Sequence, residues 1–267
     1  MNTKESVINA EHVVKTYRAR GHGRLARPEV RALRGVRLNI NRGEIFGIIG
    51  ENGAGKSTLS ECLTGIQKPD SGTVSVLGCN PVSTSPSERK KLLSKIGVQL
   101  QTTHFPEKIR VQELCSLYER FYDKPADSGA LLAQFGLAEK KRMIADSLSG
   151  GQKQRLAVVL ALIANPEVLF LDELTTGLDP KARHAVWDII KSLQLGGMTI
   201  LLTSHFMDEV EYLCTRIAVM KQGLICAEGT PAALIAEYHA KNLEELFLKY
   251  MDADSEKTQL NAFGDEV

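Results

Sequence analysis

The sequence predicts an α/β fold: a mostly parallel sheet with crossover helices, an antiparallel sheet ahead of it, and a helical subdomain set into it. Three observations carry this expectation. Apolar runs of strand length recur at 73–77, 96–100, 168–171 and 199–203, with helical patterns between the later ones, which is the order of βα units. Earlier, Val36, Leu38 and Ile40 alternate with Arg37 and Asn39, the period of a half-buried strand in an antiparallel sheet. Between Thr102 and Ala164 no strand pattern appears, only amphipathic segments broken by Pro106, Pro125 and Gly136.

Along the chain, 45–49 is almost continuously apolar, as a strand covered on both faces should be, and it runs straight into a glycine-rich turn. Residues 56–65 then read as a helix. The segments 217–220 and 224–227 flank Lys221-Gln222-Gly223, a connection short enough for a hairpin. A short helical stretch from Thr230 to Tyr250 follows, and after about Met251 the residues turn acidic, small and polar, as in a frayed tail. The sequence divides accordingly into a main domain over 1–240, with its helical subdomain at about 102–164, and a C-terminal piece over 241–267. No internal repeat is visible.

Composition narrows the function classes. The 267 residues are 43% hydrophobic, enough for a sizeable core, and 33 Lys plus Arg nearly balance 32 Asp plus Glu. That balance gives no global field to draw the chain onto nucleic acid, and no nucleic-acid partner is expected. Cys62, Cys79, Cys115, Cys214 and Cys226 are scattered without metal-ligand spacing, which points to free thiols in a reducing compartment. The first residues, MNTKESVINAEH, lack the apolar segment of a signal peptide, and the run 157–164 falls well short of the roughly 20 residues a membrane-spanning helix needs. Any membrane role is therefore expected to come through a partner.

The chemistry concentrates in Gly50-Glu51-Asn52-Gly53-Ala54-Gly55-Lys56-Ser57-Thr58, which fits the GxxxxGK[ST] phosphate-binding loop between a buried strand and a helix. Glycines let successive N–H groups turn toward phosphates, the helix start adds positive dipole, Lys56 reaches the β- and γ-phosphates, and Ser57 offers an oxygen to Mg²⁺. ATP with magnesium is the expected ligand pair. The apolar run Val168-Leu169-Phe170-Leu171 ends in Asp172 and Glu173. A carboxylate there can serve the Mg²⁺ shell and the next can take a proton from water, but a strand running out into solvated acids would read the same way.

Leu148-Ser149-Gly150-Gly151-Gln152, upstream of that strand, removes the ambiguity. Here the sequence closely resembles the ATP-binding cassette (ABC) family, whose LSGGQ signature occupies this place, and the resemblance spans roughly residues 8–237. It implies a P-loop NTPase with a RecA-like core, an N-terminal antiparallel β-subdomain and an inserted helical signature subdomain. It also implies that two cassettes, read here as a homodimer, pair head to tail so that Ser149, Gly150, Gly151 and Gln152 of one close over the ATP of the other.

Further positions follow from the resemblance one by one. Gln101, set at the end of the 96–100 strand, is similar to the glutamine that contacts Mg²⁺ and water and leads into the helical subdomain; Gln99 is the rival, placed inside the strand. Thr176-Gly177-Leu178-Asp179 resembles the D-loop. His205, after the strand 199–203, matches the switch histidine, and Tyr17 the aromatic that stacks on adenine, although a strand-end tyrosine can equally pack on the core. Two departures stand out. Leu174 takes the place of the usual proline after Glu173, and the connection 18–31 is long, with five arginines against Glu29 alone. That segment reads either as a solvated hairpin loop or as a patch facing anionic lipid headgroups.

The resemblance implies an ATPase subunit at the cytoplasmic face of the membrane that drives an integral membrane permease. It looks most like ABC-2 type exporters, which handle drugs, antibiotics, lipids or polysaccharides. Phe105, Leu114, Leu117 and Tyr118 are the apolar candidates for the permease's docking groove, against the alternative that they form the subdomain's own core. A different class, a soluble single-cassette ATPase in cytosolic assembly such as iron-sulfur cluster assembly, remains open on sequence. A catalytically dead binding module is disfavoured because Glu173 and His205 are both present.

Overall fold

A computed structural model describes residues 5–18, 29–83, 85–100 and 104–251. Its central element is a six-stranded sheet built from β3 (Ile45–Ile49), β5 (Ile96–Gln99), β6 (Val168–Asp172), β7 (Thr199–Ser204), β8 (Arg216–Lys221) and β9 (Leu224–Gly229), ordered β5-β6-β7-β3-β8-β9. All neighbours are parallel except β9, which returns antiparallel along β8. The hairpin expected there is present. Its two-residue loop places Gln222 and Gly223 at φ 47° and 79°, the double left-handed turn that matches strand twist.

Continuous apolar strands are needed because this sheet is covered on both faces. Residues of β3 sort by parity: Ile45 and Ile49 enter one core with Leu169, Leu171, Ile200 and Leu202, while Phe46 and Ile48 enter the other with Phe170, Leu201 and Ala218. The first core is closed by α5 (Gly150–Ile163) and α6 (Pro180–Leu195), the second by α1 (Lys56–Thr64) and the smaller sheet. Gly97 of β5 allows α5 to lie close, since a Cβ there would meet the carbonyl oxygen of Ala161 at 2.4 Å.

The smaller sheet is antiparallel, ordered β2 (Val30–Asn41), β1 (Ser6–Tyr17), β4 (Ser71–Val76). This corrects one expectation. The strand read at 73–77 does not join the parallel sheet, because it pairs antiparallel with β1, Ile8 opposite Val76 and Ala10 opposite Val74. Strand β1 itself gave no clean alternation because register shifts between Ala10 and Val13, with His12 at φ 51°, break its period. Helix α2 (Pro86–Leu93), capped by the Ser85 hydroxyl, was also missed: only Leu92 in it is buried, so it carries no apolar stripe.

The inserted region holds α3 (Val111–Glu119), α4 (Ser128–Gln134), two single 3₁₀ turns and α5, with an isolated bridge between Arg110 and Ile144. The C-terminal helical stretch is two pieces. Helix α8 (Pro231–Glu237) stops at Tyr238, and a second helical segment covers 243–251.

Candidate functional site

Strands β3, β7 and β6 end in step, with Ile49 beside Ser204 and Thr203 beside Asp172. Their carboxyl ends therefore deliver three segments to one edge of the sheet: the loop from Gly50, the pair Asp172-Glu173, and His205. At a parallel sheet this edge is where ligands bind.

The loop is shaped by its glycines at two points. A Cβ on Gly50 would lie 2.3 Å from the carbonyl oxygen of Met220, and Gly55, at φ 106°, would bring one to 2.4 Å from that of Ala32. The tip of the β8–β9 hairpin braces the loop from outside, Gly223 N donating to Ala54 O at 2.9 Å. Lys56 opens α1 and its ammonium donates to the carbonyls of Gly50 (2.7 Å) and Glu51 (3.0 Å). Burial lowers its pKa, while the charges of Glu173 and Asp172 oppose the shift. A buried cation at the start of a helix that follows a glycine-rich loop is a cradle chemically suited to hold phosphate.

A cavity of about 530 Å³ opens over this cradle, lined by Asn52, Gly53, Gly55, Lys56, Ser57, Thr58, Glu173, His205 and, at its rim, Tyr17. The structure thus gathers the phosphate loop, the proposed base, the histidine and the aromatic at one place. Glu51 and Ala54 belong instead to a small adjoining hollow against Met220 and Gln222. Val30 and Ala32 of β2 also line the main cavity, a contribution that side-chain chemistry could not have revealed.

Glu173 is held unusually. Its φ of 52° is a left-handed conformation that costs a residue with a Cβ about 1–2 kcal/mol. The fold imposes it through Glu173 N donating to Thr203 O (3.0 Å) and Gln154 Nε2 donating to Glu173 O (3.2 Å). The side chain, only 11% exposed, faces His205 with Oε1 3.4 Å from Nδ1. Asp172, nearly buried, accepts from the Thr203 hydroxyl. Leu174, in the place of the usual proline, is fully buried in the main core, so packing restrains the chain here.

For magnesium the available donors are hard oxygens, the Ser57 hydroxyl and the Asp172 carboxylate. Among the described residues no group of three or more His, Cys, Asp or Glu could hold a metal. The set fits an ion bound by few side chains together with phosphate and water. Gln101 lies outside the described residues. The strand read as 96–100 ends instead at Gln99, whose side chain is buried, donates to the carbonyls of Leu100 (2.7 Å) and Asp172 (3.2 Å), and has no partner for Oε1 among the described residues. Of the arginine-rich connection, 19–28 also lies outside the described residues.

Ser149 caps α5, its N–H donating to Gln152 Oε1 (3.0 Å) and its hydroxyl accepting from Gln152 N (3.4 Å). Gly150 has open space where a Cβ would stand, whereas Gly151 packs on Leu178. Asp179 caps α6, accepting from Ala182 N at 3.0 Å. None of residues 149–152 or 179 lines the cavity over Lys56. The helix start at Ser149 is exposed at Ser149 and Gly150, apart from that cavity on the same chain.

A larger groove, about 1,070 Å³, runs between α2, α3 and β5. Tyr118 lines it, with Phe121, which is 66% exposed and was not singled out from the sequence. Leu117 is exposed nearby, Leu114 is buried in the main core, and Phe105 packs partly against that core. Arg89, Lys90 and Lys91 supply a basic margin.

Comparison with known proteins agrees with this geometry. The family model described as ABC transporter matches residues 33–176. Proteins named Nod factor export ATP-binding protein I are similar: that of Burkholderia orbicola (strain AU 1054) is 41% identical over 209 residues, covering 75% of this chain and 66% of the relative. That of Paraburkholderia xenovorans (strain LB400) is 37% identical over 248 residues, covering 91% and 77%. The chain thus spans just under two thirds of the first relative's length. Among solved structures, an ATP-binding subunit of an ABC transporter superposes with a TM-score of 0.79 at 24% identity, covering 91% of this chain and 98% of the other. A bacterial ABC transporter cassette solved as a dimer superposes at 0.75 with 26% identity, covering 84% and 98%.

Proposed function

The chain belongs to the ABC transporter family, and on that premise we propose that it is the ATP-binding and ATP-hydrolysing subunit of an export system. It pairs head to tail with a second cassette and works on a separate membrane permease. One observation carries the reading: Lys56, Glu173 and His205 share a single cavity while the signature residues of the same chain stay outside it. A site completed by the signature of a second copy accounts for both facts.

The residues divide the work as their positions allow. The loop N–H groups and Lys56 hold the phosphates, and Tyr17 stacks on the base at the rim. Glu173 takes the proton of the attacking water, and the fold's enforced φ keeps its carboxylate toward the cavity. With Nδ1 turned to Glu173, His205 has Nε2 left for the γ-phosphate. Magnesium, held by Ser57 and Asp172 with a contribution from Gln101, would neutralise charge on the phosphates. Partner residues Ser149 to Gln152 add a helix start to the same phosphate from the far side.

No helix among the described residues is long and apolar enough to cross a membrane. In this reading the chain attaches peripherally at the cytoplasmic face through the permease, whose cytoplasmic helix would dock in the groove that Tyr118 and Phe121 line. Export is favoured over the soluble-assembly alternative by the name the relatives carry. The test is recovery of the tagged chain from cells. Co-purification with a multi-span membrane protein that stimulates its ATP turnover is expected; recovery with a soluble partner alone would favour the assembly role.

A further inference from the structure

Glu209, on helix α7 (Met207–Leu213), is a carboxylate the mechanism does not use, yet it is fully buried. Among the described residues its carboxylate accepts three hydrogen bonds, all from neutral donors. Oε1 accepts from the Thr175 hydroxyl (2.8 Å) and from Trp187 Nε1 (3.0 Å), and Oε2 accepts from the Ser204 hydroxyl (2.5 Å). Burial pushes its pKa up and these bonds pull it back. An interior carboxylate is a costly way to fill space, so its connections matter.

Those connections lead to the two reacting side chains. Ser204 Oγ, while donating to Glu209, accepts from Phe206 N at 3.0 Å, so the residues on either side of His205 are tied together and oriented by one carboxylate oxygen. The other oxygen holds Thr175, two residues beyond Glu173, in the turn that carries Glu173 at its left-handed φ. We propose that Glu209 is a positioning residue that sets His205 and Glu173 in register across their 3.4 Å gap. This rests on the ATPase reading above, since register is significant only if the pair acts on bound nucleotide.

Glu209→Gln is close in shape and should fold. Its amide can still accept from Thr175 and Trp187, but toward Ser204 it presents a donor to a donor, and the hydroxyl must turn away from its present orientation. A displacement of an ångström or less at a reacting group costs up to about 100-fold in rate. Glu209→Gln should therefore lower kcat by roughly 10- to 100-fold with KM for ATP within about twofold of the parent. Ser204→Ala should do the same. Trp187→Phe removes the third donor without touching either catalytic segment, and should lower Tm while leaving kcat near the parent value.

Two readouts separate positioning from simple support. In a His205→Ala background, adding Glu209→Gln should cause little further loss, because the two act on one element. Independently of turnover, the imidazole NMR resonances of His205 should shift in Glu209→Gln and stay in place in Trp187→Phe. Unmoved resonances, unchanged kcat in Glu209→Gln, or an equal kcat loss in Trp187→Phe would each overturn the proposal. A parent chain that hydrolyses no ATP would fault the ATPase reading instead, and the resonances would still decide the role of Glu209.

Discussion

Replacing Glu173 by glutamine separates binding from hydrolysis more cleanly than any other substitution in the cavity. Glutamine keeps the size and tolerates φ 52° no worse than glutamate, so the braces from Thr203 O and Gln154 remain and the fold should be unaffected. What disappears is the proton acceptor, a loss that typically costs 10²- to 10⁴-fold, or about 2.7–5.4 kcal/mol of barrier at roughly 1.36 kcal/mol per decade. The upper part of that range is expected because the carboxylate is only 11% exposed and bulk water is a poor substitute. Removing a negative charge beside Lys56 also removes repulsion against a triphosphate, so ATP should bind as tightly as before or more tightly. The assay is turnover of Mg-ATP set against nucleotide affinity by equilibrium binding, with sedimentation to follow ATP-dependent pairing. A dimer that accumulates with ATP while turnover collapses is the predicted pattern. Turnover within about twofold of the parent would refute the assignment of Glu173 as base.

Other substitutions probe the cradle and the groove. Gly55→Ala must hold a Cβ at φ 106° and 2.4 Å from Ala32 O, so at about 1–2 kcal/mol before any clash it should lower Tm by roughly 2–8 °C and weaken ATP binding; a parent-like Tm and affinity would show the loop to be more pliant than its glycines imply. Leu117→Glu and Phe121→Glu place a charge on exposed apolar side chains, Phe121 lining the groove and Leu117 beside it on α3. They should abolish permease-stimulated turnover and transport and leave the isolated chain's ATP affinity unchanged, and normal transport in both would relocate the docking surface.

The phosphate loop was legible in the sequence because it is a short run whose spacing is dictated by local backbone geometry, whereas the acid pair alone was ambiguous and was read, with the signature, through the resemblance to a family. His205 was likewise read through that resemblance, supported by its place directly after the buried strand β7. What could not be read depends on contacts distant in sequence. Strand β4 looked like its parallel neighbours, yet it pairs with β1, whose bulge at His12 had erased its own period. Glu209 sits on a helix with Asp208 and Glu211 beside it, so it reads as one more solvated acid; only the packing of α7 against α6 and β7 turns it inward. Phe121 follows the end of α3, where helical spacing no longer predicts which way a side chain faces.

The central claim, that each site is finished by the signature of a second copy, is tested most directly by mixing two defective chains. Lys56→Ala removes the phosphate-holding cation from a chain's own cavity, and Ser149→Arg blocks the signature it offers to its partner. The second change sacrifices a helix cap worth about 1 kcal/mol, which the long buried face of α5 can absorb. Either variant alone should form inactive dimers. A heterodimer isolated by two different tags holds one site with both lesions and one with neither, and it should recover ATP turnover. Heterodimers shown to form under ATP but hydrolysing no more than either parent variant would contradict the shared site.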